Sequence, residues 1–343
     1  MYDPTNDRKI EHIKAFDIDP DIERNGRYFD RIHLLHRALP ELNLDEIDSR
    51  VELLGKSLSF PLLISSMTGG NHELVRTINQ NLAIAAEHCQ VAMAVGSQRV
   101  MFTDHEAKHS FDLRQFAPST VLIGNIGAVQ LNCGFGIEQC QAAVDILEAD
   151  ALYLHLNPLQ EAIQPEGDIQ FKGLGEAIAD INAQLSVPVF LKEVGSGLSP
   201  ADIEIGLKAG VHYFDVAGTG GTSWSRIEHH RRKDPTDQLG QRFQDWGIPT
   251  PLALELATPY QDRATLIASG GIRDGIDMAK SVILGASLCG VAAPLLKPAM
   301  ESAESVIHEI ERLRKEFVTA MFLLGAPNVA SLLGNRDLIL GER

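Results

Sequence analysis

No stretch of the chain reaches the run of about 18 apolar residues that a membrane-crossing helix requires, so no membrane span is expected. Basic residues are the minority charge: 30 Lys and Arg stand against 46 Asp and Glu, a formal net charge of −16. That balance argues against nucleic acid as a partner, because a nucleic-acid-binding domain normally shows a basic face. It leaves room for a phosphorylated small molecule, which a few local cations or a helix N-terminus suffice to hold. Cysteine is scarce as well. Cys89, Cys133, Cys140 and Cys289 form no C-x-x-C pair, and the spacing of Cys133 and Cys140 lacks the partner pair of a zinc site. Buried reduced thiols and a cytoplasmic location are therefore expected. The opening MYDPTNDRKIEHI is too polar for a secretory signal. With 343 residues, 44% apolar and 22% charged, the composition is that of a globular protein of one large or two ordinary domains.

What the chain does contain is an alternation. Eight short apolar runs stand out: PLLISS (61–66), VAMAVGS (91–97), TVLIGNIG (120–127), ALYLHLN (151–157), VPVFLKEV (187–194), VHYFDVAG (211–218), ATLIASGG (264–271) and ASLCGVAA (286–293). They are continuous rather than alternating, the mark of strands buried on both faces of a parallel sheet. Between them lie amphipathic stretches such as GIEQCQAAVDILEA and SPADIEIGLKAG, the second with Ser199 as N-cap and Pro200 at the first helical position. Eight such units predict an α/β fold, a TIM (β/α)8 barrel over residues 61–325. A doubly wound sheet is the alternative, but no G-x-G-x-x-G follows the first run. Residues 1–60 are expected to form an N-terminal extension contributing to the substrate site, and 326–343 a C-terminal tail. The connection 218–247 after the sixth strand is long enough to be a lid or a partly disordered functional loop. One helix is expected from about Pro298 to Leu324, its charged stretch HEIERLRKEF serving packing and oligomer contact, or simply facing solvent.

The active site of such a barrel lies at the C-terminal strand ends, and here nearly all of them end in polar groups. Met67-Thr68-Gly69-Gly70 follow the first run, Ser97-Gln98-Arg99 the second, and Asn125 closes the third. His155 and Asn157, two apart and so on one side of the strand, end the fourth, Lys192-Glu193 the fifth, and Gly218 to Ser223 the sixth. Ser269 to Arg273 and Ala292-Ala293 end the last two. A rim serving stability alone would favour apolar caps. SGGIRDG and GVAAP fall where these barrels most often bind phosphate, with Asp274 placed to cap the helix that follows. A lysine inside a barrel is costly unless paired. Lys192 therefore pairs with Glu193 or Asp215, contacts an anionic cofactor ring, or forms a Schiff base. Glu161 is either solvated or a ligand to Mg²⁺, which needs only one or two carboxylates beside substrate phosphate oxygens. Arg8, Lys9 and His12 form a basic N-terminal cluster, either disordered or folded over the barrel mouth as a diphosphate clamp. EHHRRK (228–233) reads as a solvated charge run.

Taken together, the motifs resemble a known family. DRKxxH near the start, SSMTGG, VGSQR, NIG, HLNPLQE, LKEVGSG, GTGGTSW, SGGIR and GVAAP run in order from residue 7 to about 293 and are similar to those of type 2 isopentenyl-diphosphate delta-isomerases. The resemblance implies an enzyme that interconverts isopentenyl and dimethylallyl diphosphate, a small-molecule diphosphate substrate, by a 1,3-allylic proton shift. It implies FMN, Mg²⁺, and NADPH only to reduce the flavin. Carried over by position, FMN contacts Ser66, Met67, Thr68, Ser97, Asn125, Lys192, Thr222, Gly271, Ile272, Arg273, Ala292 and Ala293. The diphosphate meets Arg8, Lys9, His12, Arg99, His155, Asn157 and Gln160, with Glu161 holding Mg²⁺. His155, Asn157, Gln160 and Lys192 make up the implied catalytic group, Trp224 excludes water from the lid, and the assembly is a homo-oligomer, a tetramer or larger.

Two other readings remain open. A 2-hydroxy-acid oxidase or dehydrogenase type of FMN barrel shares SGGIR, but carries a His-Gly-Gly-Arg type segment after strand six, where this chain has GTGGTS. A non-catalytic flavoprotein or phosphosugar-binding barrel would not call for Arg8, Lys9 and Arg99 to gather around Glu161.

Overall fold

Each of the eight apolar runs forms a short parallel strand, because side chains on both faces find apolar cover. In a computed structural model describing residues 11–12, 15, 18–24, 26, 28–232, 234 and 236–341, these strands are β3 (Leu62–Ile64), β4 (Ala92–Ala94), β5 (Leu122–Gly127), β6 (Ala151–Leu156), β7 (Val189–Glu193), β8 (Tyr213–Asp215), β9 (Thr265–Ser269) and β10 (Leu288–Val291). They pair in chain order, and β10 closes on β3, making a closed barrel. This is the expected TIM barrel. Helices wrap the outside, among them Glu73–Cys89, Ile137–Leu147, Leu174–Gln184, Pro200–Lys208, Thr250–Ala257 and Gly275–Ile283. Ser199 and Asp274 cap the helices that follow them, as their sequence positions suggest.

A hairpin absent from the sequence reading precedes the barrel. Strands β1 (Val51–Leu53) and β2 (Lys56–Leu58) pair antiparallel across a turn in which Leu54 and Gly55 both take positive φ, 52° and 76°. Leu53 and Leu58 pack with Leu63, Ala92, Val121, Ala151 and Phe190 at the strand starts. The hairpin thereby plugs the N-terminal end of the barrel and leaves the other end for the site. Above the plug an aromatic layer fills the interior. Tyr153 meets Phe190 edge-on at 5.6 Å, and Phe190 stacks on Tyr213 at 4.1 Å.

Three expectations need correction: the single helix, the solvated charge run and the burial of all four thiols. The helix expected from about Pro298 is two helices, Ala293–Glu301 and Ala303–Leu324. Ser302 breaks them in extended backbone (φ −166°, ψ 166°) and caps the second through the Ser305 N–H. The longer helix buries Val306, Ile310, Leu313 and Phe317, so its packing role holds. The long connection 218–247 carries helices Trp224–His230 and Leu239–Arg242, and Ser223, Ser225 and Glu228 within it are fully buried. EHHRRK is therefore not simply a solvated charge run, since Glu228 at its start points inward. Finally, Cys89, Cys140 and Cys289 are buried free thiols as expected, but Cys133 is exposed.

Candidate active site

The polar strand ends converge on one cavity at the C-terminal end of the barrel. Every predicted site residue among the described ones lines it: Ser66, Met67, Thr68, Ser97, Arg99, Asn125, His155, Asn157, Gln160, Glu161, Lys192, Thr222, Gly271, Ile272, Arg273, Ala292, Ala293 and His12. Arg8 and Lys9 lie outside the described residues. Two buried atoms in the wall, Thr68 Oγ1 and Asn157 Oδ1, have no hydrogen-bond partner. Buried polar groups are seldom left unpaired, so each marks a position where a ligand's polar group fits.

Lys192 forms the floor. The strand period that turns Phe190 inward turns Lys192 inward two residues later, above the aromatic layer and 5.8 Å from the Tyr153 ring centroid. Its Nζ donates to Asp215 Oδ2 at 2.8 Å and to Ser269 Oγ at 3.0 Å. Asp215 also accepts from Ser269 Oγ at 2.5 Å, Tyr153 Oη at 3.2 Å and the Ala217 N–H at 3.2 Å. Burial, reinforced by Asp215, pushes the Tyr153 phenol well above its usual value. Ala217 is held at φ 37°, a strained conformation for a residue with a side chain. Of the sequence alternatives for Lys192, the Asp215 pair is present, and the ammonium still lines the cavity above it.

One end of the cavity is built from the turns after β9 and β10. Gly271 has φ 83°, and a Cβ there would meet Gly220 backbone carbon and oxygen at 2.7 and 2.8 Å, so only glycine lets the two Gly-rich turns touch. The helix Ala293–Glu301 opens here with Ala292, Ala293 and Leu296 on the rim; Pro294 has no N–H, and the Leu295 N–H bonds Ala292 O at 2.9 Å. Arg273 and Thr222 both engage the carboxylate of Glu23, so an anion already lies between two of the predicted cofactor contacts. Glu23 had no signal in the sequence.

The opposite side of the rim carries the second polar group. Asn125 donates to Val95 O at 3.0 Å and Ser66 Oγ at 2.8 Å, which turns its Oδ1 to His155 Nδ1 at 2.6 Å. The proton of neutral His155 therefore sits on Nδ1. Asn157 Nδ2 donates to Glu161 Oε1 at 2.7 Å, while Gln164 Nε2 and the Asp168 N–H hold Oε2 at 2.6 and 2.7 Å. No cluster of three or more metal-ligating side chains occurs among the described residues. Glu161 lines the cavity, and a magnesium ion needs only one or two carboxylates beside substrate phosphate oxygens. Arg99 Nη1 meets Asp168 Oδ2 at 2.6 Å.

Glu228 is the residue sequence reasoning misread. It is fully buried, and its carboxylate takes Gln160 Nε2 at 2.9 Å, His12 Nε2 at 3.2 Å and Arg231 Nη1 at 2.7 Å. Burial alone would raise this carboxyl, but donation from His12, Gln160 and Arg231 outweighs it and holds it near 2. His12 also packs edge-on against Trp224 at 5.3 Å. The N-terminal segment is tied to the same connection by Asp19, bound to Arg226 at 2.6 and 3.0 Å and to His230 at 2.6 Å.

Sequence similarity agrees with this geometry. Residues 162–339, just over half of the chain, match the FMN-dependent dehydrogenase family. An isopentenyl-diphosphate delta-isomerase of Hydrogenovibrio crunogenus is 60% identical over 98% of this chain and 98% of its own length. One from Paracoccus zeaxanthinifaciens is 60% identical over 97% and 96%, and one from Methanosarcina mazei 42% identical over 99% and 94%. Among solved structures, an active mutant of (S)-mandelate dehydrogenase superposes with a TM-score of 0.71 at 16% identity, covering 98% of each chain. A flavocytochrome b2 variant does so at 0.65 and 18%, covering 93% of this chain and 78% of its own. At such identities the structural likeness concerns the fold alone.

Proposed function

The chain belongs to the isopentenyl-diphosphate delta-isomerase family, and from that premise we propose that its cavity interconverts isopentenyl and dimethylallyl diphosphate over a bound FMN, with Mg²⁺ on the diphosphate and NADPH used only to reduce the flavin. The carrying observation is the division of the rim. The anion-binding turns follow β9 and β10, while His155 lies near the end of β6 and Asn157 and Glu161 follow it, and β6 stands diametrically across the ring from β10. Two phosphorylated ligands can then meet from opposite sides above Lys192.

The residues fit FMN. The orphaned Thr68 hydroxyl, the Gly271–Arg273 turn and the Ala293 helix N-terminus provide donors for a phosphate monoester. Buried Lys192 provides positive charge for an anionic ring. When bound and reduced, FMN supplies a ring nitrogen that exchanges a proton and a negative charge that stabilises a tertiary carbocation. The protein's part is placement and dryness. Arg99 and His12, with Arg8 and Lys9, hold the diphosphate; His155, Asn157 and Gln160 orient it; Glu161 ligates Mg²⁺. Trp224, in the connection after β8, excludes water from the reacting carbons. Residues 61–325 form the flavin-binding barrel, 1–60 complete the substrate site, and 326–343 are a tail. The enzyme works in the cytoplasm as a homo-oligomer of four or more chains.

The test is conversion of isopentenyl diphosphate by dithionite-reduced holoenzyme, with and without EDTA, beside oxygen uptake by oxidised holoenzyme with 2-hydroxy acids. Metal-dependent conversion without oxygen uptake supports the reading. Oxygen uptake without conversion would move the protein to 2-hydroxy-acid oxidase chemistry.

A further inference from the structure

The turn 164–168 reaches both charged groups on the β6 side of the rim, and nothing in the sequence motifs assigns it a role. Gln164 and the Asp168 N–H hold Glu161 Oε2 at 2.6 and 2.7 Å. The carboxylate of the same Asp168 takes Arg99 Nη1 at 2.6 Å and Gln130 Nε2 at 2.9 Å, both on Oδ2. Gly167 presses the turn onto the helix Pro158–Ile163: a Cβ there would lie 1.8 Å from the Glu161 carbonyl oxygen. Glu161 and Arg99 arrive from different strands, after β6 and β4, yet one residue, Asp168, holds both, the first through its N–H and the second through its carboxylate.

We propose that Asp168 is a positioning residue that presets Arg99 for the substrate diphosphate at a fixed distance from Glu161. The proposal rests on the reading that Arg99 binds that diphosphate. An arginine carries about 2 kcal/mol of rotamer entropy, and engaging Nη1 beforehand removes much of it while leaving other N–H donors of the fork for phosphate oxygens. Stability is a poor explanation for the pair. Arg99 and Asp168 side chains are 37% and 24% exposed, and the more an ion pair is open to water the less it contributes. The carboxylate also opposes an incoming anion, so its presence beside Arg99 makes sense only if geometry outweighs charge. Gln130, which uses its amide on the same oxygen, keeps Asp168 from following Arg99 out of place.

The experiment is a double-mutant cycle on the FMN- and Mg²⁺-loaded protein, read as the Kd of inorganic pyrophosphate. Asp168→Asn is expected to weaken binding roughly tenfold, in line with a preorganisation effect of order 1.4 kcal/mol. In an Arg99→Ala background the same change is expected to alter Kd less than twofold. Gln130→Met, which removes the second donor to Asp168, is expected to give a smaller loss of the same kind with FMN affinity unchanged. Equal losses in both backgrounds, or unchanged or tighter binding by Asp168→Asn, would overturn the proposal while leaving Arg99 in the substrate site. If Arg99→Ala itself leaves pyrophosphate binding intact, the substrate reading of that corner fails, and the proposal with it.

Discussion

Replacing Lys192 with methionine removes the only cation that touches Asp215 within the barrel, among the described residues. Asp215 is 0% exposed and Lys192 5%. At their 2.8 Å separation the attraction is of order 6 kcal/mol with an effective dielectric near 20. Part of that offsets the cost of burying both charges, and the usual loss on breaking a buried pair from one side is about 3–5 kcal/mol. Tyr153, Ser269 and the Ala217 N–H still donate to Asp215, which favours the lower end. Equilibrium denaturation of Lys192→Met should thus show a loss of about 3 kcal/mol, a large share of the roughly 5–15 kcal/mol that folded domains possess. The double variant Lys192→Met/Asp215→Asn should recover at least half of it, because the hydrogen-bond donors survive and the stranded charge is gone. A single variant as stable as the parent, or a double variant no better than the single, would refute the ion-pair account.

Further consequences concern other parts of the site. Gly271→Ala forces a side chain at φ 83° into the Gly220 backbone, so FMN affinity measured by fluorescence quenching should fall at least tenfold. The Arg226 hydrogen bond, foremost, holds Asp19 down from 3.8 to about 2. A depressed carboxyl contributes its stability, of order 2 kcal/mol here, fully above its unfolded value and loses it as pH falls toward the folded one. Hydrogen exchange at the Arg24 and Ser223 amides, which bond Gly221 and Ile22, should accordingly quicken, after correction for intrinsic rates, between pH 4 and 2 and not between 7 and 5. Trp224→Ala should reduce turnover while leaving FMN affinity within about threefold, because the indole meets His12 on the substrate side.

How far the sequence disclosed all this varies by element, for physical reasons. The barrel was legible because strands covered on both faces become uninterrupted apolar runs, and the rim because polar residues follow those runs at nearly every end. Lys192 was legible as an interior group from strand period alone, but its partner among Glu193 and Asp215 was a matter of cross-strand register, with Lys192 beside Asp215. The hairpin β1–β2 was missed since VEL and KSL are three residues each, too short for a period to show. Glu228 was misread for a different reason. A charge run on a short helix says nothing of which face turns inward, and that face is set by His12 and Gln160 arriving from elsewhere in the chain. Asp168 hid similarly: EGD looks like any polar turn until Arg99, 69 residues earlier, is found against it.

The most direct measurement follows isopentenyl diphosphate by proton NMR in D₂O under anaerobic conditions, with Mg²⁺ and protein reconstituted with FMN or with 5-deaza-FMN, each reduced by dithionite. Dimethylallyl diphosphate carrying deuterium, formed with reduced FMN but not with oxidised FMN or the deaza analogue, is the predicted result. Full conversion with the deaza analogue would contradict proton exchange at the flavin nitrogen, and no conversion with reduced FMN would contradict the isomerase itself.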